Sequence, residues 1–268
     1  MATFDHDGIT INYQRVGSGP RVLFFNGSGA TLESSAPLIN ALAKTCEVLA
    51  HDQRGLGKTS KPDGPYTMAQ YASDGAALLD YVGWQTCSVV GISFGGMVAQ
   101  EFAVTWPHRV ERLVLLCTSA GGAAGSSYPL HELGSLSPAE RSAKALIISD
   151  RRYTPEWLAE HPVDAEIVRM RNEQALLPKP DDVLRGERLQ LQARIGHDVA
   201  DRLHRIECPT FVTAGRYDDL APVANSEEIV KRIPDATLAV YEGGHMFSGQ
   251  DRQAILDIRE FLVTGKRP

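Results

Sequence analysis

The sequence predicts an α/β fold, a mostly parallel sheet flanked by helices with a helical lid inserted into it. Two observations carry this expectation. Over the first ~120 residues, short apolar runs alternate with helical stretches of about 10–15 residues, the signature of βαβ units, and the rhythm returns after about residue 206. Between these parts, from about Gly121 to Arg205, strand signal is almost absent and helix starts recur.

Each element has a local reason. Ile9 to Val16 alternates its side chains and runs into Gly17-Ser18-Gly19-Pro20, so it reads as an early hairpin strand. Arg21 to Phe25 is a short apolar strand that stops at Asn26-Gly27-Ser28-Gly29. A helix around Pro37 to Lys44 precedes the strand Cys46 to Ala50. A longer helix, Met68 to Val82, precedes the strand Cys87 to Gly91, and a third, Phe94 to Trp106, precedes Arg112 to Cys117. In the lid, Ser137-Pro138-Ala139-Glu140 has a capping-box pattern with Pro in the first turn, and Thr154-Pro155 opens another helix. Val163 to Leu177 and Val183 to Ile195 carry apolar residues at helical spacing, divided by Pro178 and Pro180. A strand (Thr210 to Ala214), a helix (Pro222 to Ile233), a strand (Thr237 to Tyr241) and a helix (Arg252 to Val263) complete the chain. The expected division is a core over 1–120, a lid over 121–205 with its hinge at Ser119 to Ser127, and the rest of the core over 206–268.

Composition excludes several classes. The balance of 27 basic against 33 acidic residues gives a net charge of -6, which argues against a nucleic-acid partner. No apolar run approaches the ~20 residues that span a bilayer. The N-terminus carries Asp5 and Asp7 rather than a basic segment followed by an apolar one, so no secretory signal is visible. A soluble, cytoplasmic protein without a membrane partner is expected; its oligomeric state, a homo-oligomer included, is left open. Cys46, Cys87, Cys117 and Cys208 are widely spaced and lie in or beside apolar runs, so they read as buried structural thiols. With no C-x-x-C pair and no Cys/His cluster, neither a zinc site nor a redox motif is supported; no metal or organic cofactor is expected.

The string Gly91-Ile92-Ser93-Phe94-Gly95-Gly96 fits G-x-S-x-G at a point where a strand turns directly into a helix. A serine on such a turn projects its hydroxyl beyond the strand end, small residues two positions away on each side let the backbones close up, and the N–H of Phe94 can face an oxyanion. Gly215-Arg216-Tyr217-Asp218 follows another strand, and Gly243-Gly244-His245 follows the next. Ser93, Asp218 and His245 therefore stand in the order Ser…Asp…His at strand ends, where active sites of such sheets form. Asp219 and Glu242 are the rival carboxylates. The loop Asn26-Gly27-Ser28-Gly29 is the source of a second oxyanion donor, the N–H of Ser28 first and that of Gly27 next.

Across essentially its whole length the sequence resembles the α/β-hydrolase superfamily. Asp52-Gln53-Arg54-Gly55-Leu56-Gly57-Lys58-Thr59-Ser60 is similar to that superfamily's D-x-R-G-x-G-x-S segment, a structural loop; Gly215 to Pro222 matches its acid segment and Gly243 to His245 its histidine segment. The Asn26 loop and the short lid look most like the group of 3-oxoadipate enol-lactonases and cofactor-free haloperoxidases and esterases. Most members begin this loop with His-Gly, so Asn26 departs from the general pattern. Gly27-Ser28-Gly29 and Ser93-Phe94-Gly95-Gly96 also resemble the C–C hydrolases that act on meta-cleavage products, although those carry an aromatic residue where this chain has Met246. The resemblance implies an eight-stranded sheet and a serine hydrolase of small esters or enol-lactones, acting through an acyl-enzyme on Ser93. The alternatives are a C–C hydrolase or a perhydrolase with the same triad, or a non-catalytic ligand-binding member of the fold. An aspartate-nucleophile epoxide hydrolase or dehalogenase is disfavoured by Ser93. Asn26, Leu130, Leu133, Leu146, Trp157, Met170, Leu176 and Met246 are candidates for the pocket wall. One of Arg169, Arg171, Arg185, Arg188 and Arg194 is a candidate to meet a substrate carboxylate.

Overall fold

Strands buried on both faces must be apolar at every position, with alternate side chains feeding opposite layers. The computed structural model, which describes residues 2–268, shows this arrangement. Val22 and Phe24 enter one core cluster and Leu23 and Phe25 the other; Val114 and Leu116 are likewise opposed to Leu113 and Leu115. Among the described residues the sheet has eight strands: β1 (Ala2–His6), β2 (Ile9–Gly17), β3 (Arg21–Phe25), β4 (Glu47–His51), β5 (Cys87–Ile92), β6 (Val110–Leu116), β7 (Thr210–Gly215) and β8 (Ala236–Tyr241). Their order is β1-β2-β4-β3-β5-β6-β7-β8. β1 pairs antiparallel with β2 and β2 with β4, and every later pair is parallel.

The helices are α1 (Ala36–Leu42), α2 (Met68–Tyr81), α3 (Phe94–Thr105), α4 (Pro138–Ser149), α5 (Pro155–Glu160), α6 (Pro162–Leu176), α7 (Asp181–Ala193), α8 (Val223–Arg232), α9 (Phe247–Gln250) and α10 (Arg252–Thr264). α1 and α10 cover one face of the sheet through Ile39, Leu42, Ile258 and Phe261. α2, α3 and α8 cover the other through Tyr71, Leu78, Phe102 and Ile229. Each such apolar side chain contributes about 1.5–3 kcal/mol on burial. The predicted capping box of α4 is present, with Ser137 accepting from the Glu140 N–H and Glu140 accepting from that of Ser137. Thr154 likewise caps α5. α4 to α7 lie between β6 and β7, so the strand-free block sits where the apolar pattern lapses.

One sequence expectation needs correction. The strand from Ile9 does belong to a hairpin, but its partner is β1, a short half-exposed strand without a clear apolar pattern, and β4 stands between it and β3. Asp7-Gly8 forms the two-residue turn, both residues at positive φ (49° and 73°), which matches the twist of the flanking strands. Among the described residues no helix is long and apolar enough to cross a membrane. All four cysteines are free and buried, as their apolar surroundings suggested.

Candidate active site

Ser93 lies where β5 gives way to α3, at φ 55° and ψ −117°. That conformation costs a side chain with a Cβ about 1–3 kcal/mol and needs external support. The Ser93 N–H donates to Leu116 O at 2.8 Å, while its carbonyl accepts from the N–H groups of Gly96 and Met97 and from the Thr118 hydroxyl. The glycines of the motif are a packing requirement. A Cβ on Gly91 would lie 2.3 Å from Gly95 O, and one on Gly95 would lie 2.1 Å from Phe25 O.

His245 and Asp218 come together from the loops beyond β8 and β7. Nδ1 of His245 stands 2.7 Å from Oδ2 of Asp218, and both side chains are buried. The other carboxylate oxygen, Oδ1, accepts the N–H groups of Leu220 at 2.8 Å and Ala221 at 2.9 Å. This fixes the carboxylate's orientation and leaves Oδ2 for the imidazole. Asp219 and Glu242 are about half-exposed and paired with Arg151 and Arg216, so neither rival reaches His245. Burial disfavours a charged imidazole, but the adjoining Asp218 carboxylate outweighs it and raises His245 above the ordinary histidine range. Burial also pushes the Cys117 thiol up, so it stays protonated and the effect on His245 comes from Asp218. The Cys117 thiol donates to His245 O at 3.3 Å.

The lid supports both loops, which sequence reasoning missed. Near the end of α4, Ile148 O accepts the Asp219 N–H at 3.0 Å and Ser149 O accepts the His245 N–H at 2.6 Å. Gln250 closes the frame: its Oε1 accepts the Gly244 N–H, and its Nε2 donates to Asp150 and to the Tyr153 hydroxyl. On the other side, Gln190 of α7 is fully buried and its Oε1 accepts the Gly29 N–H at 2.8 Å, tying the oxyanion-loop candidate to the lid.

Gly27, Ser28, Ser93 and His245 line one cavity of about 590 Å³. It shares Leu130, Arg171, Leu220, His245 and Met246 with a second space of about 620 Å³ under the lid. The Phe94 ring is buried edge-on to Tyr71, so only the backbone of this residue is available to a ligand. The Asp52 segment is structural, as expected: its carboxylate accepts from the N–H groups of Leu32 and Lys58 and from Asn12 Nδ2.

Of the pocket candidates, Leu130, Leu146, Leu176 and Met246 line these spaces. The others do not. Asn26 is fully buried behind its loop, where Nδ2 donates to His51 O and its carbonyl accepts from Gln53. Leu133 packs with Ile148 and Leu220. The Trp157 ring lies 3.6 Å from that of His161 and its Nε1 donates to Asp164, and Met170 is exposed. Among the arginines, Arg169 pairs with Glu166 and Glu173, Arg185 bonds Lys61 O, and Arg194 bonds Tyr128 O. Arg171 lines both spaces and has no ion-pair or hydrogen-bond partner among the described residues.

Residues 20–251 match the alpha/beta hydrolase fold family. The chain belongs to that family. It is 32% identical over 251 residues to a poly(3-hydroxyalkanoate) depolymerase of Ectopseudomonas oleovorans, covering 88% of this chain and 82% of that protein. It is 27% identical to 3-oxoadipate enol-lactonase 2 of Acinetobacter baylyi, over 94% and 92% of the two chains. The structure superposes on the enol-lactonase from Burkholderia xenovorans LB400 with a TM-score of 0.81 at 23% identity, covering 97% and 99%, a likeness of fold.

Proposed function

We propose that this α/β-hydrolase-family chain is a serine hydrolase that opens a small carboxylic ester or enol-lactone through an acyl-enzyme on Ser93. The observation that carries this reading is the meeting of Ser93, on its strained turn, with a buried His245–Asp218 pair at one cavity. His245 takes the Ser93 proton as the hydroxyl oxygen attacks the carbonyl carbon. Asp218 holds the imidazole with its proton on Nδ1 and stabilises the imidazolium that forms. The N–H groups of Phe94 and Ser28, with Gly27 beside them, face the developing oxyanion, each such donor contributing about 3 kcal/mol. His245 then returns its proton to the leaving oxygen, and a water deprotonated by His245 releases the acid.

Arg171 supports a substrate that carries a negative charge as well as the scissile carbonyl, because an unpaired guanidinium over a largely apolar cavity favours a carboxylate. That chemistry fits an acidic enol-lactone, and one similar protein bears the name of such an enzyme. The test is turnover of p-nitrophenyl acetate and of a panel of short esters, enol-lactones and ring-fission dienoates by wild type and Ser93→Ala. Loss of ester and lactone turnover in a folded Ser93→Ala protein supports the reading. Undiminished turnover removes it, and cleavage of dienoates alone transfers the same site to C–C hydrolysis.

A further inference from the structure

The lid's two connections to the core run side by side. The Val199 N–H donates to Ala120 O at 2.9 Å, and Gly121 forms a β-bridge with Asp198. Beside this joint lies a separate cavity of about 130 Å³, lined in part by Ser126, Ser127, His131, Arg194 and His197. It shares no lining residue with either space at Ser93.

Ser119 and Ser127 in its wall bond each other, but three of its other polar side chains are under-partnered. The Arg194 side chain, half-buried, gives one hydrogen bond to Tyr128 O at 3.0 Å and has no carboxylate partner among the described residues. Burial alone lowers its pKa, as for a cation without a counter-ion. His197 is only 9% exposed, and its buried Nε2 has no partner; the buried Nδ1 of His131 has none either. The nearby acids are engaged elsewhere. Glu101 holds Arg202 through two hydrogen bonds, Asp198 accepts the Ala200 N–H, and neither lines the cavity. Buried polar groups are almost always satisfied, so one cation and two under-partnered imidazoles lining a polar cavity call for a partner from outside that can accept from the guanidinium and exchange hydrogen bonds with the imidazoles. At ~30 Å³ per water, the volume holds about four waters, enough for a phosphate-sized ion and too little for a substrate-sized molecule.

The geometry points to a second ligand site, for a small oxyanion (a phosphate, sulfate or carboxylate group), held by Arg194 and His197 with His131 beside them. The ion neutralises Arg194 and links the outgoing and returning segments of the lid, steadying the lid without entering the Ser93 cavity.

The test is thermal melting of the full chain in an oxyanion-free buffer near pH 7. Inorganic phosphate and acetate are each titrated against chloride at matched ionic strength, for wild type and Arg194→Gln. Phosphate at a hundred-fold excess over its dissociation constant raises the wild-type melting temperature by about 5 °C, and Arg194→Gln loses that rise. In chloride Arg194→Gln melts no lower than wild type, since it removes a half-buried cation that has no carboxylate partner. The order of phosphate and acetate distinguishes a tetrahedral from a planar group, and a selective rise with either supports the site. An equal rise in both proteins, or none with either anion, overturns it. If Arg194→Gln does not fold, NMR of wild type decides: phosphate either shifts the His197 ring resonances saturably or, leaving them unmoved, refutes the site.

Discussion

Asp218→Asn tests the imidazole's orientation at its source. In the native site Oδ1 accepts two backbone N–H groups at 2.8 and 2.9 Å, and Oδ2 faces His245 Nδ1 at 2.7 Å. An asparagine must satisfy the same two donors with its one oxygen, which turns its NH₂ towards His245. A flipped amide would oppose NH₂ to two N–H groups. Nδ1 then becomes an acceptor, the imidazole proton moves to Nε2, and the nitrogen that should accept the Ser93 proton is blocked. The expected loss in kcat is about 10⁴-fold, or ~5.5 kcal/mol of transition-state stabilisation. The pH profile adds an independent readout. Only the neutral imidazole acts as base, so wild-type kcat/KM rises with pH through a His245 pKa that lies above the usual 6.5. Without the carboxylate that limb moves to lower pH. The assay is p-nitrophenyl acetate hydrolysis from pH 5 to 10, with near-ultraviolet circular dichroism to check folding. A folded Asp218→Asn protein that keeps a tenth of wild-type kcat and the same limb would refute the assignment of Asp218.

Three further outcomes follow from named contacts. Gln190→Leu removes the acceptor of the Gly29 N–H and with it the hold on the proposed oxyanion loop, so kcat should fall about 10- to 100-fold while the melting temperature changes by only a few degrees, as steady-state kinetics and calorimetry would show. Gly95→Ala sets a methyl carbon 2.1 Å from a backbone carbonyl, which neither strand nor helix can yield cheaply; urea unfolding should report a loss of about 3 kcal/mol or more, or no soluble protein. Arg171→Met should raise KM about 10-fold for a carboxylate-bearing enol-lactone and leave p-nitrophenyl acetate kinetics unchanged; an equal effect on both substrates would show that the arginine serves the lid instead.

Local pattern made much of the fold legible. The strands and helices around Ser93, Asp218 and His245 emerge from apolar periodicity, and G-x-S-x-G from a steric demand at Gly91 and Gly95 that sequence carries directly. β1 escaped because its outer strand is half-exposed and short, although the Asp7-Gly8 turn marked it. The lid was harder for a physical reason. Its helices use apolar residues both to pack on one another and to face a cavity, so Leu146 and Leu176 could not be told from Leu133 and Met170 by spacing. Gln190, Ser149 and Gln250 act through hydrogen bonds to Gly29, to His245 and to Asp150 and Tyr153, all about 100 residues or more away in the chain, which leave no trace in local pattern. Arg171 became distinct from Arg169, Arg185 and Arg194 only when their partners were visible, and from the exposed Arg188 only by its place at both cavities.

The central claim is that Ser93 becomes acylated at the cavity shared with His245. Its most direct test is intact-protein and peptide mass spectrometry after exposure to a p-nitrophenyl phosphonate, which leaves a stable adduct on an activated serine. The account predicts one adduct per chain, on the peptide containing Ser93, formed at a rate that collapses in Asp218→Asn and absent in Ser93→Ala. An adduct on any other residue, or ester turnover that persists in Ser93→Ala, would contradict it.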